Sequence, residues 1–108
     1  MAFKQTTNPI FKTLVTVLVP NDKGGHDKST FTAHFKRPTS AERTELIPLV
    51  HEDLVRKQLV GWDMKDEDTR QDVPFTDDTL DAVLQIWPTP LATAQAFWEG
   101  INGARAKN

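Results

Sequence analysis

Histidine and acidic side chains are the residues of this chain best suited to metal binding or proton transfer. The densest group is His51-Glu52-Asp53. Consecutive residues of a helix point in different directions, and a helical metal pair needs ligands four residues apart, where Val55 stands. His26 and His34 can approach each other across a predicted hairpin, but a histidine pair needs a supporting group to orient it. We therefore expect surface side chains and no metal site.

Other polar groups also lack the partners that their chemistry requires. Gly24-Gly25 has no Lys-Ser/Thr pair and no following helix, which a phosphate-binding loop needs. Asp66-Glu67-Asp68, with Asp72, lacks the central glycine and terminal glutamate of a calcium loop. Ser29 and Ser40 stand without an oriented base, and there is no cysteine nucleophile. The sequence predicts a protein that is not an enzyme and has no cofactor.

Length and composition narrow the class of protein further. The chain has 108 residues, of which 38% are hydrophobic and 26% charged, and this predicts a single soluble domain over residues 1–108. Its formal net charge is −2, whereas nucleic-acid binders usually carry a basic excess, so nucleic acid is not the expected partner. The run Leu14–Val19 is too short to cross a bilayer, which takes about 20 apolar residues. With no cysteine and no secretory signal pattern after Met1, we expect a cytoplasmic protein.

An antiparallel β-hairpin over residues 12–37 is the clearest structural signal, after a loose lead-in at residues 1–10. One face of the first strand carries Val15, Val17 and Val19, and the other carries Leu14 and Leu18. Because both faces are apolar, we expect this strand to be central or covered on both sides. The inward residues of the second strand are predicted to be Phe31, Ala33 and Phe35. A short third strand is predicted near residues 61–65, with Trp62 in the core.

Three to four helices are predicted to form the body on which the hairpin packs. Thr39 or Ser40 can cap the first helix, and Glu42 completes a capping box with Thr39. Pro48 interrupts it, so we expect either a kink or a second helix from about residue 49 to 60, ended by Gly61. The predicted buried stripe of that helix is Val50, Leu54, Val55 and Leu59.

Two further helices are predicted in the last third of the chain. Thr76 caps the third helix, since Asp77 and Asp78 follow it in the first turn. The prolines at positions 88 and 90 separate it from the fourth, which we expect Thr89 to cap. The fourth helix ends at Gly103 and carries an apolar stripe of Leu91, Ala94, Phe97, Trp98 and Ile101. Residues 104–108 are a short basic tail. The predicted fold class is α+β.

Aromatic side chains are the strongest candidates for a binding role, because they contribute strongly to interfaces as well as to cores. The sequence leaves open whether Trp87 and Trp98 lie in a wide buried face or are exposed to grip an apolar helix. Lys36-Arg37, with Arg43, forms either a small basic patch or ordinary surface charge. The predicted partner-binding residues are Trp87, Leu91, Phe97, Trp98, Ile101, Lys36 and Arg37.

Three stretches of the chain resemble, in order and spacing, the small tail assembly chaperones of long-tailed bacteriophages and prophages. They are the F-x-A-x-F-K-R strand at residues 31–37, the L-V-G-W segment at 59–62 and the P-F-T helix start at 74–76. The last residues, 103–108, are similar to the basic terminus of that family. The resemblance covers about residues 12–104 and implies an N-terminal hairpin followed by a mainly helical body.

The resemblance implies a holding function without catalysis. The expected partner is the tape-measure protein, whose apolar stripes would otherwise associate indiscriminately. Many copies of a homo-oligomer, each with weak contacts, would hold that chain by avidity until tail-tube subunits replace them. In this family a longer frameshift product often recruits the tail-tube protein, and the chaperone is not expected in the mature virion.

Two other functions remain open at the level of sequence. A small tail-completion or connector protein would stay in the virion, in which a chaperone should be absent. A small nucleic-acid-binding regulator would use the hairpin and the Lys36, Arg37 and Arg43 cluster, although the acidic balance of the chain disfavours it.

Overall fold

The computed structural model describes residues 8–103, so most of the predicted lead-in and the whole of the predicted basic tail lie outside the described residues. Within that range the elements are β1 Ile10–Pro20, β2 His26–Lys36, α1 Ser40–Leu46, α2 His51–Gln58, β3 Leu59–Asp63, α3 Asp77–Leu84 and α4 Thr89–Asn102. The strands form an antiparallel sheet in the order β1-β2-β3. The predicted α+β class, with its N-terminal hairpin, is confirmed.

The hairpin is longer than predicted but has the expected facing. Its register runs from Ile10 opposite Lys36 to Pro20 opposite His26. In the connecting loop the Asn21 side-chain oxygen accepts hydrogen bonds from the backbone N–H groups of Lys23 and Gly25, each at 3.0 Å. Asparagine favours such turns because its short side chain can bond to the backbone two residues on.

Strand β1 lies at the edge of the sheet, and the expectation that both of its faces are covered is wrong. Leu14 and Leu18 are 47% and 52% exposed, whereas Val15 and Val17 are buried. Helix α4 packs against the inner face, where the Phe97 ring meets the rings of Phe11 and Phe35. The helices supply one covering layer, and it lies on the valine side of the strand.

Gly100 allows α4 to approach β1 closely. A Cβ atom at this position would lie 2.9 Å from Cε2 of Phe11. Such a contact is shorter than the separation at which carbon atoms attract, so a larger residue would push the helix and the ring apart. This close contact between α4 and β1 therefore depends on Gly100 having no side chain.

Helix α1 begins as the sequence predicts. Thr39 is its N-cap, with the Glu42 backbone N–H donating to the Thr39 hydroxyl at 3.1 Å. The Thr39 backbone N–H donates in return to the Glu42 carboxylate at 2.9 Å. These two bonds complete the predicted capping box and fix the direction in which the chain leaves β2.

Helix α2 differs from its prediction at both ends. It starts at His51, and Val50 before it is 64% exposed, so Val50 is not part of the buried stripe. Leu54 and Val55 are buried as expected. Leu59 is also buried, but it belongs to β3 and not to the helix. Its backbone turns extended because it pairs with Phe35 of β2.

Gly61 does not end the helix, contrary to expectation. It lies inside β3 opposite His34, and a Cβ atom there would be 3.2 Å from the ring Nδ1 of His34. The helix end is held instead by Gln58, which is 3% exposed and donates from Nε2 to the Lys36 carbonyl at 2.9 Å. A buried amide needs such a partner, and this bond ties α2 to β2.

The predicted N-cap of α3 is confirmed, and the predicted N-cap of α4 is wrong. The Thr79 N–H donates to the Thr76 hydroxyl at 3.1 Å. Thr89, by contrast, is 4% exposed and is the first residue of α4, with Pro88 as the N-cap. Gly103 ends α4 with a φ of 71°, a backbone conformation that glycine adopts without strain.

Trp62 lies in the core as predicted and fastens the segment that follows β3. Its ring meets those of Phe31 and Phe75 edge to face, with centroids 6.0 and 4.8 Å apart. Its indole N–H donates to the Val73 carbonyl at 2.8 Å. One side chain thus joins the sheet to residues 73–75 through both stacking and a hydrogen bond.

Candidate partner-binding surfaces

The predicted contact residues do not form one surface. Trp87 is 61% exposed just before α4, while Ile101 is half-buried near the other end of that helix. Because α4 has 14 residues, the two positions are separated by about 20 Å along its axis. Leu91 and Trp98 are half-buried between them, and Lys36 and Arg37 are exposed at the end of β2.

Phe97 was predicted to contact a partner, but it is buried in the core. Its side chain is 0% exposed and sits among the rings of Phe11, Phe35 and Trp98. The wide apolar stripe of α4 thus splits, with Phe97 filling the core and Trp98 lying at its margin. No part of the Phe97 side chain reaches the surface.

A groove lined mainly by apolar side chains opens between the hairpin and α3, and we call it the apolar groove. Its volume is about 330 Å³. The apolar residues that line it come from β1 and β2, from the segment after β3, and from α3 and the residues beyond it. They are Val17, Val19, Phe31, Met64, Val73, Ala82, Val83 and Ile86.

The rim of the apolar groove is a polar turn held in place by its own hydrogen bonds. Asp66 accepts from the backbone N–H groups of Asp68 and Thr69 at 2.9 and 3.0 Å. The bonds from Thr69 and then Asp68 hold the pKa of the Asp66 carboxyl below its usual value. Lys65 and Asp72 form an ion pair at 2.6 Å across the base of the turn. Since Trp62 holds Val73, both ends of this segment are anchored.

The chemistry of the apolar groove suits binding and not bond making. Its walls are aliphatic and aromatic, and its charged groups, Lys65, Asp66 and Glu67, lie at one side. Sites of this kind take up apolar side chains, and a flanking charge then sets orientation. The groove also has one exposed apolar edge, because Ile86 is 49% exposed.

Trp87 belongs to a second, smaller surface that we call the helix-junction patch. Its apolar residues are Val50, Leu84, Trp87 and Pro90, with His51 and Glu52 beside them, around a hollow of about 290 Å³. Arg56 links the two helices at this junction, donating to Glu52 of α2 at 2.9 Å and to Asp81 of α3 at 2.8 Å. Trp87 is therefore exposed beside a fixed helix pair.

Arg37 and Ile101 meet at the opposite end of α4, in a hollow of about 540 Å³ that we call the basic hollow. Its other charged lining residues are Lys12 and Arg43. The Arg37 guanidinium lies 5.6 Å from the Phe11 ring centroid, and that of Arg43 lies 5.7 Å from the Trp98 ring centroid. Such cation–π contacts hold the arginines in place while leaving their charge available.

The sequence did not single out the apolar groove. The sequence predicts that Phe31 faces inward and that Val17 and Val19 share one covered face of the first strand. All three line the groove because α3 covers only part of the inner face near the hairpin loop. The sequence pattern carries no signal that singles out Ile86. The apolar pattern carries a signal for burial, but it does not show where the covering layer stops.

Within residues 8–103, no cluster of His, Asp or Glu side chains is able to hold a metal ion. In the same part of the chain, no helix combines the length and the apolar character needed to traverse a bilayer. Comparison of the chain with models of known protein families, with curated proteins and with solved structures found no match.

Proposed function

We propose that this protein is a non-catalytic tail assembly chaperone of a long-tailed bacteriophage or prophage. It binds the long, helical tape-measure protein in the bacterial cytoplasm and keeps it soluble, and it helps to recruit tail-tube subunits. The apolar groove is the observation that supports this proposal. It is an open apolar surface with a polar rim, anchored on both sides by the sheet and α3.

The groove matches the needs of a protein that holds an amphipathic helix. Such a helix presents apolar side chains at every third or fourth position, and a groove takes up a few of them. A volume of about 330 Å³ lies near the lower end of the range for binding pockets. A single copy therefore makes a small contact that a later subunit can displace.

Several copies bound to one long chain compensate for a weak individual contact. Linking many weak sites raises the overall affinity without any new contact, as long as all of them can engage at once. This is why we expect the protein to work as a homo-oligomer or in many copies. Recruitment of the tail-tube protein would fall to a longer frameshift product of the same gene.

The proposal is tested by co-expression with the tape-measure protein encoded nearby, scoring solubility and co-purification. Ile86→Lys places a charge at the exposed edge of the groove and should release the tape-measure protein. Ile47→Lys is the matched control, because Ile47 is 57% exposed and does not line the groove. A tape-measure protein that is soluble alone, or insoluble with the wild-type protein, contradicts the proposal.

Composition of purified virions separates this function from that of a virion component. A chaperone should be absent from finished particles by mass spectrometry, whereas a tail-completion or connector protein would be present in fixed copy number. Detection at a constant ratio to the tail-tube protein would favour the structural alternative.

The basic hollow supports a second candidate, a small nucleic-acid-binding regulator. Arg37 and Arg43 line it together, and each can neutralise a phosphate. Binding of DNA or RNA that weakens steeply with salt, and that falls further in Arg37→Ala, would favour this candidate. Absence of any salt-dependent binding removes it.

A further inference from the structure

The outer face of the sheet carries a line of exposed apolar side chains. Ile10, Leu14 and Leu18 recur every four residues along β1, which places all three on the same face. They are 41%, 47% and 52% exposed. Strand geometry spaces them about 13 Å apart, so the line is about 26 Å long. Exposed apolar rows of this kind mark interaction sites more often than scattered single residues do.

Lysines flank this line on the same face, which we call the outer sheet face. The register places Lys36 opposite Ile10 and Lys28 opposite Leu18, and Lys12 stands between Ile10 and Leu14. Within residues 8–103, none of the three lysines forms an ion pair with an acidic side chain. Their charge is therefore available to a partner.

The acidic side chain that the register brings to this face, Asp63, is already engaged. Its carboxylate contacts the His34 ring nitrogen at 3.1 Å. That hydrogen bond, and beyond it the charges of His34 and Lys12, hold the pKa of Asp63 below its usual value. Among residues 8–103, the register places one carboxylate and three lysines on this face, so that part of the outer sheet face is basic, although the whole chain has a net charge of −2.

The charge of this face selects among possible occupants. A second copy related by two-fold symmetry would bring one basic face against another, and like charges across an interface oppose association. A segment with an apolar stripe and acidic flanks would bury Leu14 and Leu18 and place carboxylates near the lysines. Both the apolar and the charged features of the face then have a partner.

We propose that the outer sheet face binds an acidic amphipathic segment of the partner protein, whose apolar stripe lies along Ile10, Leu14 and Leu18. This rests on the proposed holding function, because it assigns the chemistry of the helix that is held. The apolar groove lies on the other side of the same strands, since its residues Val17 and Phe31 belong to the inner face. The two contacts therefore lie on opposite faces of the sheet.

The test uses two synthetic amphipathic helical peptides with the same leucine stripe, one flanked by glutamates and the other by lysines. Fluorescence anisotropy with the full-length protein should give at least about tenfold tighter binding of the glutamate peptide at low salt, a preference that falls as salt screens the charges. Equal affinity for the two peptides overturns the proposal.

Two variants and a control locate the contact. Leu14→Ser with Leu18→Ser should weaken binding of the glutamate peptide at least about tenfold, whereas Ile47→Ser, at a position at least as exposed, should leave it unchanged. Lys12→Glu with Lys28→Glu and Lys36→Glu should reverse the preference toward the lysine peptide. Far-ultraviolet circular dichroism checks that each variant is folded. Failure of the reversal in a folded protein overturns the proposal.

Other occupants give distinct results in the same samples. If sedimentation shows a dimer that Leu14→Ser dissociates, the face joins two copies and the proposal is wrong. If single-stranded DNA displaces the glutamate peptide as well as unlabelled peptide does, the lysines recognise polyanions in general, which also overturns it.

The peptide test and the co-expression test fail separately. If the wild-type protein holds the tape-measure protein and the lysine-to-glutamate variant holds it equally well, the assignment of this face fails and the holding function stands. If the wild-type protein does not hold the tape-measure protein, the proposed function fails whatever the peptides do.

Discussion

On the inner face of β1, Val15 and Val17 are 0% and 3% exposed, whereas Leu14 and Leu18 on the outer face are 47% and 52% exposed. All four are aliphatic, and they alternate within one strand. The inner pair lies under α4 and the groove, and the outer pair lies on a face that no described helix covers. The same kind of residue therefore contributes to the core on one face and to a candidate partner surface on the other.

The comparison shows why apolar character alone is a poor guide to role in a small protein. A chain of this length builds one sheet and one helical layer, so one face of the sheet stays open. Apolar residues on the open face stabilise the monomer less by burial than those on the inner face do. They gain further stabilisation when a partner covers them.

Removing a large buried ring should have the largest effect on stability. Phe35 is 0% exposed and meets the rings of Phe11 and Phe97, so Phe35→Ala should lower the free energy of unfolding by about 3–5 kcal/mol. Leu14→Ala on the outer face is the control and should cost less than about 1 kcal/mol. Urea denaturation measures both. Similar losses in the two variants would show that the outer face is covered.

A hydroxyl introduced at neighbouring positions of β1 compares the two faces directly. Val17→Thr buries a polar group on the inner face and should lower the free energy of unfolding by about 1–3 kcal/mol. The buried hydroxyl loses its hydrogen bonds to water, and the apolar surroundings offer it no replacement. Leu18→Thr keeps its hydroxyl in solvent and should change stability by less than about 0.5 kcal/mol. Thermal unfolding of the pair is the measurement. Equal midpoints would contradict the assignment of faces.

Removing a charge from the outer face should have the smallest effect on stability, and the size of that effect should depend on pH. The pKa of Asp63 is lowered in the folded protein, first by the hydrogen bond from His34, so its carboxylate stabilises the fold above its unfolded pKa. That contribution is lost as the pH falls through the folded pKa. Asp63→Asn should therefore unfold at slightly lower urea than wild type at about pH 7, and at the same urea at about pH 2. A difference at about pH 2 as large as that at about pH 7 would contradict the assignment.

Local signals in the sequence predicted much of the fold. Helices α1 and α3 begin where expected, at the caps Thr39 and Thr76. A cap depends on groups only three residues apart, so the local sequence is enough to predict it. Phe31, Ala33 and Phe35 face inward because strand alternation is a property of the backbone. These features are fixed by neighbours in sequence.

The errors all involve contacts between distant residues. The end of α2 was predicted at Gly61, but pairing of Leu59 with β2 ends it earlier, and Gln58 secures the end through Lys36. Thr89 was expected to cap α4, but it is buried by the packing of that helix. A glycine and a threonine each have several local uses, and only tertiary contacts choose between them.

The candidate sites were predicted less well than the fold. Trp87 is exposed, and Phe97, predicted as a contact residue, is buried. A stripe on a helix shows that one side is apolar, but the width of the layer it meets decides which members reach solvent. The groove and the outer sheet face both arise where that layer ends, which no local pattern encodes.

The sequence by itself determined the hairpin and the caps of α1 and α3, because these depend on residue type and short spacing. Only the tertiary structure decided that β1 is an edge strand, that its leucines are exposed and that Arg37 and Arg43 meet beside aromatic rings. The physical reason is that burial is a property of two surfaces in contact, and a single strand or helix specifies only one of them.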